Sequence, residues 1–237
     1  MIVCPNEEVT DAKEKCINTC IKAFENKGIK YIVLYSGNAT YANMAFCLTE
    51  LPIKYLYFVG DGDYQVGGEL RTVIGLSDGP VVSYCGEGEK KTKSIQAMGI
   101  PEGKLKIVFF DACYSGRLQI DNGNLIEGPS YEEDPTEVIT DVSQSDMSDA
   151  LGIKNTDQIY KGWYDLAYAF RILTYYNQWS FNFWKKLGGV DGESSGCIYE
   201  AVDYCIWHTE GANLKYGPHY NYRFKGVGGD MSIRLTN

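Results

Sequence analysis

Leu105-Lys106-Ile107-Val108-Phe109-Phe110-Asp111-Ala112-Cys113-Tyr114-Ser115-Gly116 reads as a buried strand that runs straight into a polar turn. The apolar part is too short, and too rich in β-branched and aromatic side chains, for a helix, and Ser115-Gly116 closes the turn. Ligands in open α/β sheets bind beyond the carboxyl ends of the strands, so a thiol delivered to that rim is a candidate nucleophile. The alternative reading of Cys113 is a small apolar residue ending a core strand, because free cysteine is among the most buried residue types.

The sequence before this strand alternates. Met1–Cys4 is a short strand turned by Pro5-Asn6. Asp11 and Glu14 form a candidate capping box, and Cys16, Ile17, Cys20, Ile21 and Phe24 then recur at helical spacing up to a stop at Gly28. Tyr31–Tyr35 is a wholly apolar strand, Tyr41–Leu51 a helix ended by Pro52, and Ile53–Val59 a third strand. This β-α-β-α-β order predicts an α/β fold with a mostly parallel sheet and helices on both faces. After Gly62, the runs Leu70–Leu76 and Val81–Cys85 flank Asp78-Gly79, which predicts a hairpin at the sheet edge, and Lys90–Met98 reads as a short helix stopped by Gly99.

Downstream, residues 121–158 are acid-rich, with Lys154 the only basic residue between Asp121 and Asp157, and they read as a loop. A long aromatic helix, Ile159–Leu187, follows, then a helix Ser195–His208 capped by Ser194 or Ser195, then strands Tyr220–Phe224 and Met231–Leu235. Gly226-Val227-Gly228-Gly229 opens no helix and carries no Lys-Ser/Thr, so it is not a phosphate loop.

The 237 residues suffice for one large domain with its own core. The formal net charge of -9 disfavours nucleic acid and anionic membranes and favours a peptide or protein partner with basic residues. No apolar run approaches the roughly 20 residues that span a bilayer, and the amino terminus lacks the pattern of a signal peptide. The eight cysteines show no paired zinc-ligand spacing, and the reading is reduced thiols in a cytoplasmic setting. Secretion stays open for a chain from which an export signal has been removed.

Asp111-Ala112-Cys113-Tyr114-Ser115-Gly116 resembles the nucleophile motif of the caspase-like cysteine peptidases, the group that includes metacaspases, legumains and gingipains. That family's second signature is a strand ending in Gly-His-Gly, about 50 residues before the cysteine in caspases. Tyr55-Leu56-Tyr57-Phe58-Val59-Gly60-Asp61-Gly62 stands there, with Asp61 at the histidine position, 52 residues before Cys113. In a second alignment, Val81-Val82-Ser83-Tyr84-Cys85-Gly86-Glu87-Gly88 resembles the same element as gingipains write it, with Glu87 replacing the histidine. The resemblance implies a three-layer α-β-α sandwich with a mostly parallel central sheet. It divides the single domain into a large-subunit-like half (1–120) with Cys113, the acidic loop (121–158) and a small-subunit-like half (159–237). It also implies Cys113 as nucleophile, the backbone of Cys113 and Gly62 as oxyanion donors, and Asp111 facing the pocket for an Arg or Lys side chain.

Chemistry sets the rest of the expectation. Thiols near pKa 8.5 are only slightly ionised at neutral pH, and an imidazole both activates them and protonates the leaving amine. A carboxylate at Asp61 works the other way, raising a nearby thiol by like-charge repulsion. The resulting expectation is a peptidase homologue impaired in turnover that still grips basic segments, with Asp111 alternatively a mere turn cap. The competing readings are an active thiol endopeptidase whose base is His219, His208 or a group supplied by a partner, and a scaffold in which Asp61, Asp63 and Asp111 hold Ca²⁺ or Mg²⁺. No cofactor beyond that cation is expected.

Overall fold

The computed structural model of the protein describes residues 1–6, 9, 11–66, 70–82, 93–101, 104–112, 118–121, 124–127, 180–208 and 232–237. It divides into two compact units that interleave along the chain: Met1–Glu8, Ile32–Glu132 and Gly226–Gly229 form the first, and Val9–Tyr31, Glu133–Lys225 and Asp230–Asn237 the second.

The first unit is α/β. Strands β1 (Ile2–Cys4), β2 (Val33–Tyr35), β3 (Tyr55–Val59) and β7 (Ile107–Asp111) form a four-stranded sheet in the order β2-β1-β3-β7, and every pairing is parallel. Side chains alternate across it. Val3, Leu34, Leu56, Phe58 and Val108 enter one hydrophobic core with Met44, Cys47 and Leu48 of helix α2 (Tyr41–Glu50). The opposite face carries Ile2, Cys4, Tyr57, Val59, Ile107 and Phe109, which are buried too. Burial on both faces explains why β3 and β7 read as continuous apolar runs rather than as alternating ones. Cross-strand aromatic pairs follow the register: Tyr57 stacks on Phe109 at 5.4 Å and Phe58 meets Phe110 at 5.5 Å.

The expected hairpin forms, but outside the parallel sheet. Strands β5 (Leu70–Leu76) and β6 (Gly79–Val82) pair antiparallel around Ser77-Asp78, and β4 (Gly62–Val66) adds to β5, giving a separate three-stranded sheet. Its turn caps α2. Asp78 Oδ1 accepts the Tyr41 N–H at 2.9 Å, while Thr40 Oγ1 accepts that of Asn43 at 3.2 Å. Lys93 donates to Asp78 Oδ2 at 2.5 Å. Burial pushes the Asp78 carboxyl up, but the Lys93 hydrogen bond and charge and the Tyr41 N–H outweigh it and hold the group below its ordinary value. The helix expected over Lys90–Met98 reduces, among the described residues, to a 3-10 turn at Gln96–Met98, because Ser94 bridges Val82 instead. The start of the expected acidic loop is a hairpin of β8 (Leu118–Asp121) and β9 (Asn124–Glu127). Residues 128–158 lie outside the described residues.

In the second unit α1 (Asp11–Asn26) ends as the sequence predicts. Gly28, at φ +65, donates to the Glu25 carbonyl and Ile29 donates to that of Phe24, the two hydrogen bonds of a Schellman stop. A helical segment over 180–188, here α3, meets α1 through Phe24 and Trp184, edge to face at 5.8 Å. The segments touch closely: a Cβ on Gly188 would lie 2.1 Å from Ala23 Cβ and 2.4 Å from Ala23 Cα. The last helix, α4 (Ile198–His208), starts later than Ser195, and its cap is not a serine. Glu200 reaches back to accept the Cys197 N–H at 2.7 Å and also receives Arg234 at 2.8 Å. Near the carboxyl terminus, the described part of the expected last strand makes one bridge, Arg234 to Cys197. The remainder of the long aromatic helix and the strand Tyr220–Phe224 lie outside the described residues.

Candidate functional site at the carboxyl edge of the parallel sheet

The strands that carry the two sequence motifs are neighbours. β3 and β7 pair from Tyr55 with Ile107 to Val59 with Asp111, and the pairing continues one step further where the Gly60 N–H donates to the Asp111 carbonyl at 3.1 Å. This brings Gly60-Asp61-Gly62 to the edge at which Asp111-Ala112 leads towards Cys113. Gly60 is held to glycine by space, because a Cβ there would stand 2.9 Å from Phe58 Cζ and 3.1 Å from Pro5 Cδ.

The two acids meet different surroundings. Asp61 is exposed; its Oδ2 accepts from Asn6 Nδ2 at 3.0 Å, and its carbonyl accepts the Gly75 N–H at 2.9 Å. Gly62 next to it opens β4 opposite Ile74. Asp111 is only 3% exposed and lies on the face of Tyr57 and Phe109, where its Oδ2 accepts the Tyr57 hydroxyl at 2.8 Å. Ala112 is buried on the opposite, core side. A carboxylate can only accept, so Asp61 offers acceptor chemistry to solvent, whereas Asp111 spends at least one oxygen on a buried phenol.

Cys113, Glu87 and His219 lie outside the described residues. The second alignment still meets one observation: Val81 and Val82, which lead towards Glu87, belong to β6 of the antiparallel sheet, not to the sheet that holds β7. His208 ends α4 in the second unit, exposed, with its ring stacked on Tyr204 at 3.7 Å. Its Nδ1 lies 2.8 Å from the Tyr204 carbonyl, which can only accept, so Nδ1 donates and Nε2 is the nitrogen left to act as a base. Burial of Tyr204 and its bond to Glu193 push that phenol up to about 12. The described cysteines are all buried, and burial raises the thiols of Cys20, Cys47 and Cys205. None of these three has the surroundings of an activated nucleophile.

Among the described residues no three His, Cys, Asp or Glu side chains gather to hold a metal ion, and no helix is long and apolar enough to cross a membrane. Two residues of the site carried no sequence signal strong enough to single them out. Asn6 read as an ordinary turn after β1, and Tyr57 as one apolar position in a strand. No family model, curated protein or solved structure matches the chain.

Proposed function

We propose that the chain is a caspase-like thiol-peptidase homologue, a three-layer α-β-α sandwich, that holds a basic peptide segment at the carboxyl edge of its parallel sheet and is impaired in cutting it. The observation that carries this reading is the position of Asp61, exposed just beyond the end of β3 and beside β7, which ends at Asp111, two residues before Cys113 in the sequence. A thiol peptidase needs an imidazole next to its nucleophile, and a carboxylate there disfavours the thiolate.

Two further features support a basic ligand. The formal net charge of -9 attracts cations from a distance, and Asp61 is an exposed carboxylate of the kind that pairs with guanidinium in two parallel hydrogen bonds. Asp111, buried against Tyr57, places a second acidic side chain beneath that edge.

Iodoacetamide alkylation of Cys113 across pH, followed by intact-mass spectrometry, tests the impairment. A rate that climbs with an apparent pKa of about 8.5 or above is expected for a thiol with no base. Half-maximal alkylation below pH 7 would reveal an activated thiolate and replace this reading with an active peptidase that uses His219 or His208.

A further inference from the structure

We infer that Asn6 is a specificity residue of a cation-binding site between the ends of β1 and β3, where it and Asp61 together receive a guanidinium or ammonium group. This rests on the basic-ligand reading above and adds to it a residue and a binding geometry.

Topology selects the place. In the order β2-β1-β3-β7 the chain leaves β1 for β2 on one side and then crosses to β3 on the other, so its direction of travel reverses between β1 and β3. The crevice at such a reversal, beyond the carboxyl ends, is the position that open α/β sheets give to ligands. Asn6 follows the end of β1 at Cys4 by two residues, and Asp61 follows the end of β3 at Val59 by two. The two strand ends lie close together, for a Cβ on Gly60 would stand 3.1 Å from Pro5 Cδ.

Hydrogen bonding then defines the ligand. The Asp61 carboxylate only accepts, so the group 3.0 Å away must be the Asn6 NH₂, which fixes the orientation of the amide. Its Oδ1 is buried and has no hydrogen-bond partner among the described residues. An acceptor kept from water without a donor is costly. The pair therefore presents a charged acceptor and an unsatisfied neutral one. An anion is repelled by Asp61, and an apolar group leaves Oδ1 unmet. A planar guanidinium, with donors on more than one edge, satisfies both, and an ammonium with three donors is the next best match. On arrival it takes over the Asp61 oxygen that Asn6 now holds. Rotation about the broad terminal torsion of the asparagine then turns Oδ1 towards a second ligand N–H. Binding thus exchanges the Asn6–Asp61 hydrogen bond for contacts of both residues with the ligand.

The test uses the full chain and two otherwise identical peptide amides, one with arginine and one with norleucine at the central position, titrated by calorimetry. The unmodified protein should prefer the arginine peptide. Asn6→Ala should cut the arginine-to-norleucine affinity ratio by about tenfold, the scale of one hydrogen bond to a charged group. Asn6→Asp should raise the ratio by adding a second carboxylate. If Asp61→Asn abolishes the preference but both Asn6 variants stay within about twofold of the unmodified ratio, a shift below what one such bond gives, Asn6 has no such role and the basic-ligand reading stands. If the unmodified protein binds both peptides equally, that reading fails and takes this inference with it.

Discussion

The Tyr57 hydroxyl donates to the Asp111 carboxylate at 2.8 Å inside the protein, joining the middle of one parallel strand to the end of its neighbour across 54 residues of sequence. A hydrogen bond to a carboxylate is worth about 1.5–3 kcal/mol, and a buried acceptor that loses its donor forfeits at least that much. Tyr57→Phe keeps the ring stacked on Phe109 and removes only the donor, so urea unfolding should show a loss of about 1.5–3 kcal/mol. Asp111→Asn should cost less, because an amide oxygen can still accept from the phenol. Two variants indistinguishable from the unmodified protein would show that this bond contributes nothing net.

Asp61→His is expected to create Cys113-dependent cleavage of an Arg-reporter peptide where the unmodified protein has negligible activity. General acid-base assistance supplies about 10² to 10⁴ in rate, enough to detect by fluorescence release. Asp61→His combined with Cys113→Ala must be inactive. Gain of activity by Glu87→His but not by Asp61→His would transfer the missing base to the second alignment, and strong cleavage by the unmodified protein would remove the idea of impairment.

The first half of the fold was legible because local signals coincide there. Gly28, Pro52 and the apolar runs at Val33–Tyr35 and Tyr55–Val59 each dictate an element end or a buried strand without help from distant residues. What was not legible depends on partners. The hairpin around Ser77-Asp78 was visible from its turn, but its membership of a separate sheet with β4 is a choice among pairings that no short window encodes. Ser194 and Ser195 look like helix caps, yet each hydroxyl accepts from a lysine, Lys186 and Lys27, and α4 is capped by Glu200 instead. At the site, the pairing of the strands that lead to Asp61 and Asp111 agrees with what the resemblance and the β-α-β order together imply. The engagement of Asp111 by Tyr57 and of Asp61 by Asn6 is long-range and became visible only in three dimensions.

Acidification should weaken the anchoring of α2. Asp78 has a folded-state carboxyl below its ordinary value, so it binds a proton less readily folded than unfolded. Its contribution is therefore fully present above the unfolded value, about pH 3.9, and is lost as pH falls through the lower folded value. Asp78→Asn keeps an acceptor for the Tyr41 N–H but has no charge to titrate. Unfolding free energies measured from pH 6 downward should converge for the two proteins. The gap at pH 6 should be under about 1 kcal/mol, because the Lys93 pair is partly exposed. A gap that widens on acidification would contradict the sign of this effect.

Gly188→Ala should disrupt the second unit. The added carbon would fall 2.1 Å from Ala23 Cβ and 2.4 Å from Ala23 Cα, so the two helical segments must separate, at a cost of about 1–3 kcal/mol or more. Because the collision includes backbone, Ala23→Gly in the same chain should give little rescue in thermal melts. Full recovery by that second change would mean the contact is between side chains alone.

The carboxylate that receives the first N–H of α2 belongs to a residue 37 positions further along the chain. A ribosome that has just released Tyr41–Glu50 has therefore made a helix whose start is held only by Thr40. Its second acceptor arrives with Asp78, and the lysine that steadies that acceptor comes 15 residues later still. Since domains condense from the amino terminus during synthesis, at about 5–20 residues per second, this helix waits seconds for its own beginning to be completed. The parallel sheet waits longer, because β7 follows only after both have been made.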